Sequence, residues 1–214
     1  MGIRVVGSTV NSTEISSDIA IEFPAGLSDA QKDRIKDEVG ELLVETILLA
    51  VGSSRSPISG EDWPPLSNDY ADFKQNEGRG SRANMELNGD MLDALEFVRT
   101  VEGIRLQITG DQAPKADGHN NFSGESSLPR RKFLPERGDT FKGEINNQVD
   151  AIISDEVVTA GRVTRARVRE VQDQRQLNSL LRELFPVLTL RQAKDAVLFN
   201  DELRSIFAPV IRFF

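Results

Sequence analysis

Two consecutive prolines constrain this chain more than any other feature. Pro64 and Pro65 hold φ near the extended range and remove two backbone donors, so neither a helix nor a central strand passes through them and the chain must turn. The turn lies in Gly60-Glu61-Asp62-Trp63-Pro64-Pro65-Leu66-Ser67-Asn68-Asp69-Tyr70, which holds the only tryptophan and the only tyrosine. Ser67 is placed to cap a short helix whose buried face would carry Tyr70 and Phe73. A tryptophan and a tyrosine beside rigid prolines form a plug folded back on a core. A structural anchor is favoured over a ligand-stacking role.

Upstream of the plug, Ile3–Val6 and Asp18–Phe23 read as short strands separated by a polar Asn-Ser-Thr turn. Ser28-Asp29-Ala30-Gln31 is then a capping box. Behind it Ile35, Val39, Leu42, Leu43, Val44, Ile47, Leu48 and Val51 recur at helical spacing, and Gly52 supplies the stop. Because the stretch from Glu41 to Val51 is apolar nearly all round, this helix is expected to be buried on more than one side.

Downstream, Gln75–Asn84 has no periodicity and reads as a mobile loop. Asp90 caps a short helix bearing Met91, Leu92 and Leu95. Phe97–Val101 and Ile104–Ile108 then form a hairpin across Glu102-Gly103, with Ile104, Leu106 and Ile108 on its buried face. The polar stretch Thr109–Leu128 carries no secondary-structure signal, and His119 within it reads as a hydrogen-bonding or surface residue. In Pro129-Arg130-Arg131-Lys132-Phe133-Leu134-Pro135 the apolar pair is expected to dock while the arginines meet carboxylates. Asp139 or Thr140 caps a second long helix to about Val158, and Gly161 opens another, from Arg162 to Leu184, ended by Pro186. Thr189-Leu190-Arg191-Gln192 is a further capping box, and Asn200 caps a last turn or two before Pro209.

These elements make an α+β fold: a small antiparallel β-sheet packed on two long helices, with a mainly helical C-terminal extension. The expected division is a core domain over 1–160 and an extension over 161–214 that docks on the core or on a neighbouring subunit.

Composition narrows the function. With no cysteine, disulfides, thiolate metal sites and a cysteine nucleophile are excluded, and one histidine cannot build a histidine-rich zinc site. The start Met1-Gly2-Ile3-Arg4 lacks an apolar signal core, so the chain is expected to stay in the cytoplasm of the cell that makes it. A net charge of −8 argues against general nucleic-acid binding. The charge is nonetheless polarised. Residues 161–195 hold eight basic and four acidic side chains, and the first sixty residues hold nine acidic and five basic. That asymmetry suits copies of one chain packing head to tail. Five of the eleven phenylalanines fall in the last thirty residues, so the tail is expected to be docked, on its own core or on a neighbour.

The order of landmarks is itself informative. A helix leads to Trp63-Pro64-Pro65-Leu66-Ser67…Tyr70…Lys74, then Leu87-Asn88-Gly89-Asp90-Met91-Leu92 and a hairpin. Ala116…His119-Asn120-Asn121-Phe122, Pro129-Arg130-Arg131-Lys132-Phe133-Leu134 and a closing helix follow. This series resembles the phage virion morphogenesis, or tail-completion, family of tailed bacteriophages, over roughly Ser28 to Val158. Here Lys115-Ala116 precedes His119-Asn120-Asn121-Phe122 where the family has Tyr-Ala before His-Gln-Phe-Gly, and 161–214 has no counterpart. The resemblance implies a non-enzymatic virion protein, made in the host cytoplasm and incorporated at the neck. It would form a homo-oligomeric ring, hexameric or dodecameric, between head connector or stopper and tail tube or terminator, using no cofactor, metal or membrane. Candidate interface residues are Trp63, Arg130, Arg131, Phe133, Phe199, Phe207, Phe213 and Phe214, the last four as an aromatic tail reaching an adjacent subunit.

Two other readings compete. A small nucleic-acid-binding factor would use Arg130, Arg131, Arg162, Arg165 and Arg169, and a neck ring could touch DNA through a basic lumen. A hydrolase would need Asp117, His119 and Glu125, with no nucleophile elbow or phosphate loop beside them.

Overall fold

In the computed structural model, the described residues are 2–85, 90–120, 129–170, 174–186, 188 and 190–209. The side chains of 160–170, 174, 175, 190–192, 195, 199 and 202 lie outside that description. The architecture is α+β, and the chain divides into two compact units. One holds residues up to Glu22 and Asp33–Ile152. The other holds Phe23–Lys32 and Ile153 onward.

The first unit is built on an antiparallel sheet of order β1-β2-β4-β3, from β1 (Ile3–Asn11), β2 (Glu14–Ile21), β3 (Glu96–Arg99) and β4 (Gly103–Thr109). The first two strands pair across Asn11-Ser12-Thr13, where the Asn11 carboxamide oxygen accepts from the Thr13 N–H at 2.9 Å. Both strands run longer than the apolar runs that announce them. A bulge between Val5 and Gly7 shifts the pairing by one residue, so Val5 opposite Ile19 and Val10 opposite Ile15 share a face despite their odd spacing. The second hairpin is as its alternation predicts: Ile104, Leu106 and Ile108 are fully buried while Arg105 and Gln107 are half-exposed. Arg105 reaches Asp18 across the strand at 2.7 Å and Glu14 at 3.5 Å, a partly exposed cluster of the kind that registers strands more than it stabilises them.

The helix α1 (Asp29–Gly52) begins at the expected capping box, with the Gln31 carboxamide oxygen accepting from the Ser28 N–H at 2.9 Å. Ile35, Val39, Leu43, Ile47 and Val51 form its buried stripe, each worth roughly 1.5–3 kcal/mol of burial. It lies against the sheet face that carries Leu106. A Cβ on Gly40 would come within 2.3 Å of the Phe97 ring, so only glycine permits this approach. At the same end Arg99 pairs with Asp33 and Asp37, and the Arg99 guanidinium holds the Asp37 carboxyl below its ordinary value.

Two expectations for α1 need correction. Its second half is buried on one side only, because Leu48 is 38% and Leu49 66% exposed. Nor is Gly52, the last helical residue, the left-handed stop. The Arg55 N–H bonds the Ala50 carbonyl and the Ser54 N–H the Val51 carbonyl, a Schellman motif whose left-handed residue is Ser54, at φ 60°. The Ser54 hydroxyl is buried without a hydrogen-bond partner. Ser54→Gly relieves both costs, and urea titration should show a gain of about 0.5–1 kcal/mol.

The α2 helix (Asn68–Asn76) follows Ser67, whose side chain makes no cap bond. Tyr70 and Phe73 are not on its buried face. They are 42% and 46% exposed and stack on each other with centroids 6.1 Å apart. The buried residue is Lys74. Its Nζ donates to the Arg82 carbonyl at 3.0 Å and the Asn84 side-chain oxygen at 2.6 Å, which ties down the end of the stretch expected to be a mobile loop. After it α3 (Asp90–Asp93) buries Met91 and Leu92, as expected.

The polar stretch after β4 is not structureless. A 3-10 turn at Gly110–Gln112 leads into α4 (Ala113–Asn120), which packs on β2 and buries Ala113, Ala116 and Asn120. Residues 121–128 lie outside the described part. The long α5 (Gly143–Glu170) begins after Asp139 and Thr140 and continues through Gly161, so no new element opens there. One interior glycine costs only about 1 kcal/mol relative to alanine, too little to break a 28-residue helix.

In the second unit, α6 (Gln174–Leu184), α7 (Leu190–Phe199) and α8 (Asp201–Phe207) make a small core of their own. Leu177, Leu181, Val197 and Phe207 are its fully buried members. The Asn200 side chain accepts from the Leu203 N–H at 3.0 Å and caps α8, as the sequence indicates. The proposed cap Thr189 lies outside the described residues.

Candidate functional site

The sequence landmarks of the first unit meet on the segment 129–136, which has no regular secondary structure and is held by side-chain caps. Asn120, at the end of α4 and fully buried, is the hub. Its side-chain oxygen accepts from the N–H groups of Phe133 and Leu134, each at 2.8 Å, and its amide donates to the Leu134 carbonyl at 3.0 Å. The side chain thus imitates a neighbouring β-strand. Ser17 on β2 adds a bond to the Pro135 carbonyl at 2.6 Å, and Ser56 adds one to the Lys132 carbonyl at 3.2 Å. Ser56 belongs to the same loop as Trp63, closed by a bridge between Arg55 and Asp62, with the Trp63 N–H on the Ser54 carbonyl at 2.8 Å. Trp63, the plug, is 8% exposed and its indole N–H has no partner among the described residues.

The cationic block divides. Of the two arginines expected to meet carboxylates, Arg130 pairs with Glu136, and the neighbouring Lys132 pairs with Glu136 and Asp139. Arg131 does not. It is 5% exposed, its backbone N–H bonds the His119 carbonyl at 2.9 Å, and its Nε has no hydrogen-bond partner among the described residues. Burial lowers the affinity of its guanidinium for the proton. Beside it, His119 is held below its ordinary value, first by burial and then by the Arg131 charge, and its Nδ1 lacks a partner.

A pH dependence follows. With a folded value below the unfolded one of about 6.5, the His119 contribution is fully present above pH 6.5 and is lost as pH falls through the folded value. As His119 is the only histidine, urea titrations at pH 7.5 and 5 should show stability falling towards the lower pH, and falling less in His119→Gln.

Trp63, Arg131 and Phe133 are buried under their own chain, and Arg130 alone of this group stays exposed. Phe207 is fully buried in the second unit, where α7 ends at Phe199, and Phe213 and Phe214 lie outside the described residues. Sequence reasoning missed Asn120 as a hub and Lys74 as a buried cation. The signal for Asn120 was its place on the Ala113, Ala116, Asn120 stripe, which shows only once the segment is read as a helix. Among the described residues no group of three or more His, Asp or Glu is placed to hold a metal ion, and no helix is long and apolar enough to cross a membrane. Comparison with known protein families, with curated proteins and with solved structures finds no match.

Proposed function

We propose that this chain is a non-catalytic structural protein of the bacteriophage neck, forming a homo-oligomeric ring that completes the tail and joins it to the head connector. The observation that carries the reading is the ordered series of motifs from Trp63 to Leu134, together with their convergence. Residues of the Trp-Pro-Pro loop, the His119-Asn120 motif and the Pro129–Leu134 segment are separated by up to 76 positions, yet are bonded to one another through Ser56, Asn120 and Arg131. Motifs that build one another's structure are expected to persist as a set. The charge polarity between the first sixty residues and 161–195 further suits a heterologous, ring-closing contact. The ion pairs of Arg130 and Lys132 leave less free positive charge for DNA, which disfavours the nucleic-acid alternative.

The test is the mass of the purified protein across concentration, by native mass spectrometry or light scattering. A discrete hexamer is expected, matching the tail's symmetry, with a dodecamer the acceptable variant. A chain that stays monomeric and adds to neither purified heads nor purified tails would overturn the assignment.

A further inference from the structure

The outer flank of α1 and the strand β3 border an open groove of about 670 Å³. Leu48, Leu49 and Phe97 contribute apolar surface, and Glu41, Glu45 and Glu96 surround it with carboxylates. A leucine left two-thirds exposed beside a second exposed leucine is a surface that a partner would cover. The groove also adjoins a free sheet edge, because β3 is an end strand. The bond from the Thr100 N–H to the Gly103 carbonyl sets the phase of the hairpin, so Phe97 and Arg99 aim their backbone groups away from β4. Among the described residues no hydrogen bond reaches those groups.

An edge strand beside an apolar groove accepts an extended segment as an added strand, whose alternate side chains enter the groove. Glu96, on the face of β3 opposite Phe97, favours a cation at an alternate position of that segment. The chain itself contains such a segment in Val210-Ile211-Arg212-Phe213-Phe214: four strand-favouring apolar residues around one arginine. Five extended residues reach about 17 Å. The part of α1 that borders the groove, Glu41 to Leu49, rises about 12 Å. We propose that the groove receives Val210–Phe214 of a second copy, added as a strand to β3, with Ile211 and Phe213 in the groove and Arg212 on the opposite face beside Glu96. This deepens the ring reading by naming the contact between successive subunits, and rests on that reading for the closure of the ring.

The absence of cysteine makes cross-linking unambiguous. Full-length Leu49→Cys and full-length Phe213→Cys, mixed and oxidised, should give a disulfide-linked dimer at least tenfold above the pairing of Phe213→Cys with Val101→Cys, an exposed control. Glu96→Lys should weaken self-association about tenfold, and Arg212→Glu should restore it. Linking no better than the control overturns the proposal. So does a Leu49→Cys/Phe213→Cys double variant that closes within one chain while the mixed single variants stay unlinked. A hexamer that assembles without the link overturns the groove contact and leaves the neck reading standing. A link in open chains that never close into a ring supports the contact and overturns the ring.

Discussion

Asn120→Ala is expected to lower the unfolding free energy by about 3–5 kcal/mol, as much as truncating a buried aromatic side chain. Three backbone groups of a fully buried segment depend on it: the N–H groups of Phe133 and Leu134 and the Leu134 carbonyl. Each buried backbone group left without a partner costs about 1–3 kcal/mol. No water-facing route is open to these groups, since Phe133, Leu134 and Asn120 are all 0% exposed. For a chain of this length each kcal/mol shifts the melting temperature by about 2–4 °C, so a fall of roughly 10 °C or more should be seen by calorimetry. Asn120→Asp keeps the shape and the acceptor but turns the donor into an oxygen facing the Leu134 carbonyl. It should therefore rescue little. Hydrogen exchange separates this account from a general loss of packing, because the Phe133 and Leu134 amides should lose protection first. A variant within 1 kcal/mol of the parent, with those amides still protected, would remove the hub.

Asn120 also marks where sequence reasoning stopped. Periodicity carried it through α1 and the second hairpin, because there a stripe of Ile, Leu and Val alone decides which face is buried. It failed at α4, where Ala-Pro-Lys-Ala-Asp-Gly-His-Asn offers small residues and two poor helix formers, and the helix exists because β2 gives it a surface to pack on. It failed again at the end of α1, where a serine takes the left-handed position that glycine normally holds. Polar burial was the least legible, since hydrophobicity predicts exposure for Asn120, Ser17, Arg131 and Lys74 alike. Each is buried in a position set by distant backbone, and that backbone is invisible until the chain is folded. Of the candidate interface, the burial of Trp63 as a plug and the docking of Phe133 were legible, because bulky apolar residues beside prolines have few other fates.

The second large effect is expected at Lys74, where Lys74→Met should cost about 2–4 kcal/mol although methionine fits a similar volume and is favoured by burial. Replacing a buried charged group by an apolar one is often neutral when both partners are replaced together. Here the acceptors remain. The Arg82 carbonyl and the Asn84 side chain would each lose a charge-assisted hydrogen bond, worth about 1.5–3 kcal/mol apiece before the gain from apolar burial is set against it. The loss should be local as well as global, because the ammonium joins α2 to the far end of the stretch that follows it. That stretch holds Arg79 and Arg82, both exposed and both trypsin targets, and the Arg79 N–H also bonds the Lys74 carbonyl at 2.9 Å. Limited trypsin digestion under native conditions should therefore cut Lys74→Met after Arg82 faster than the parent, before any global unfolding. If stability falls while cleavage at Arg82 is unchanged, the ammonium supports α2 alone. If neither changes, the bonds to residues 82 and 84 contribute nothing, and the Tyr70–Phe73 pair would have to anchor this helix from its exposed side.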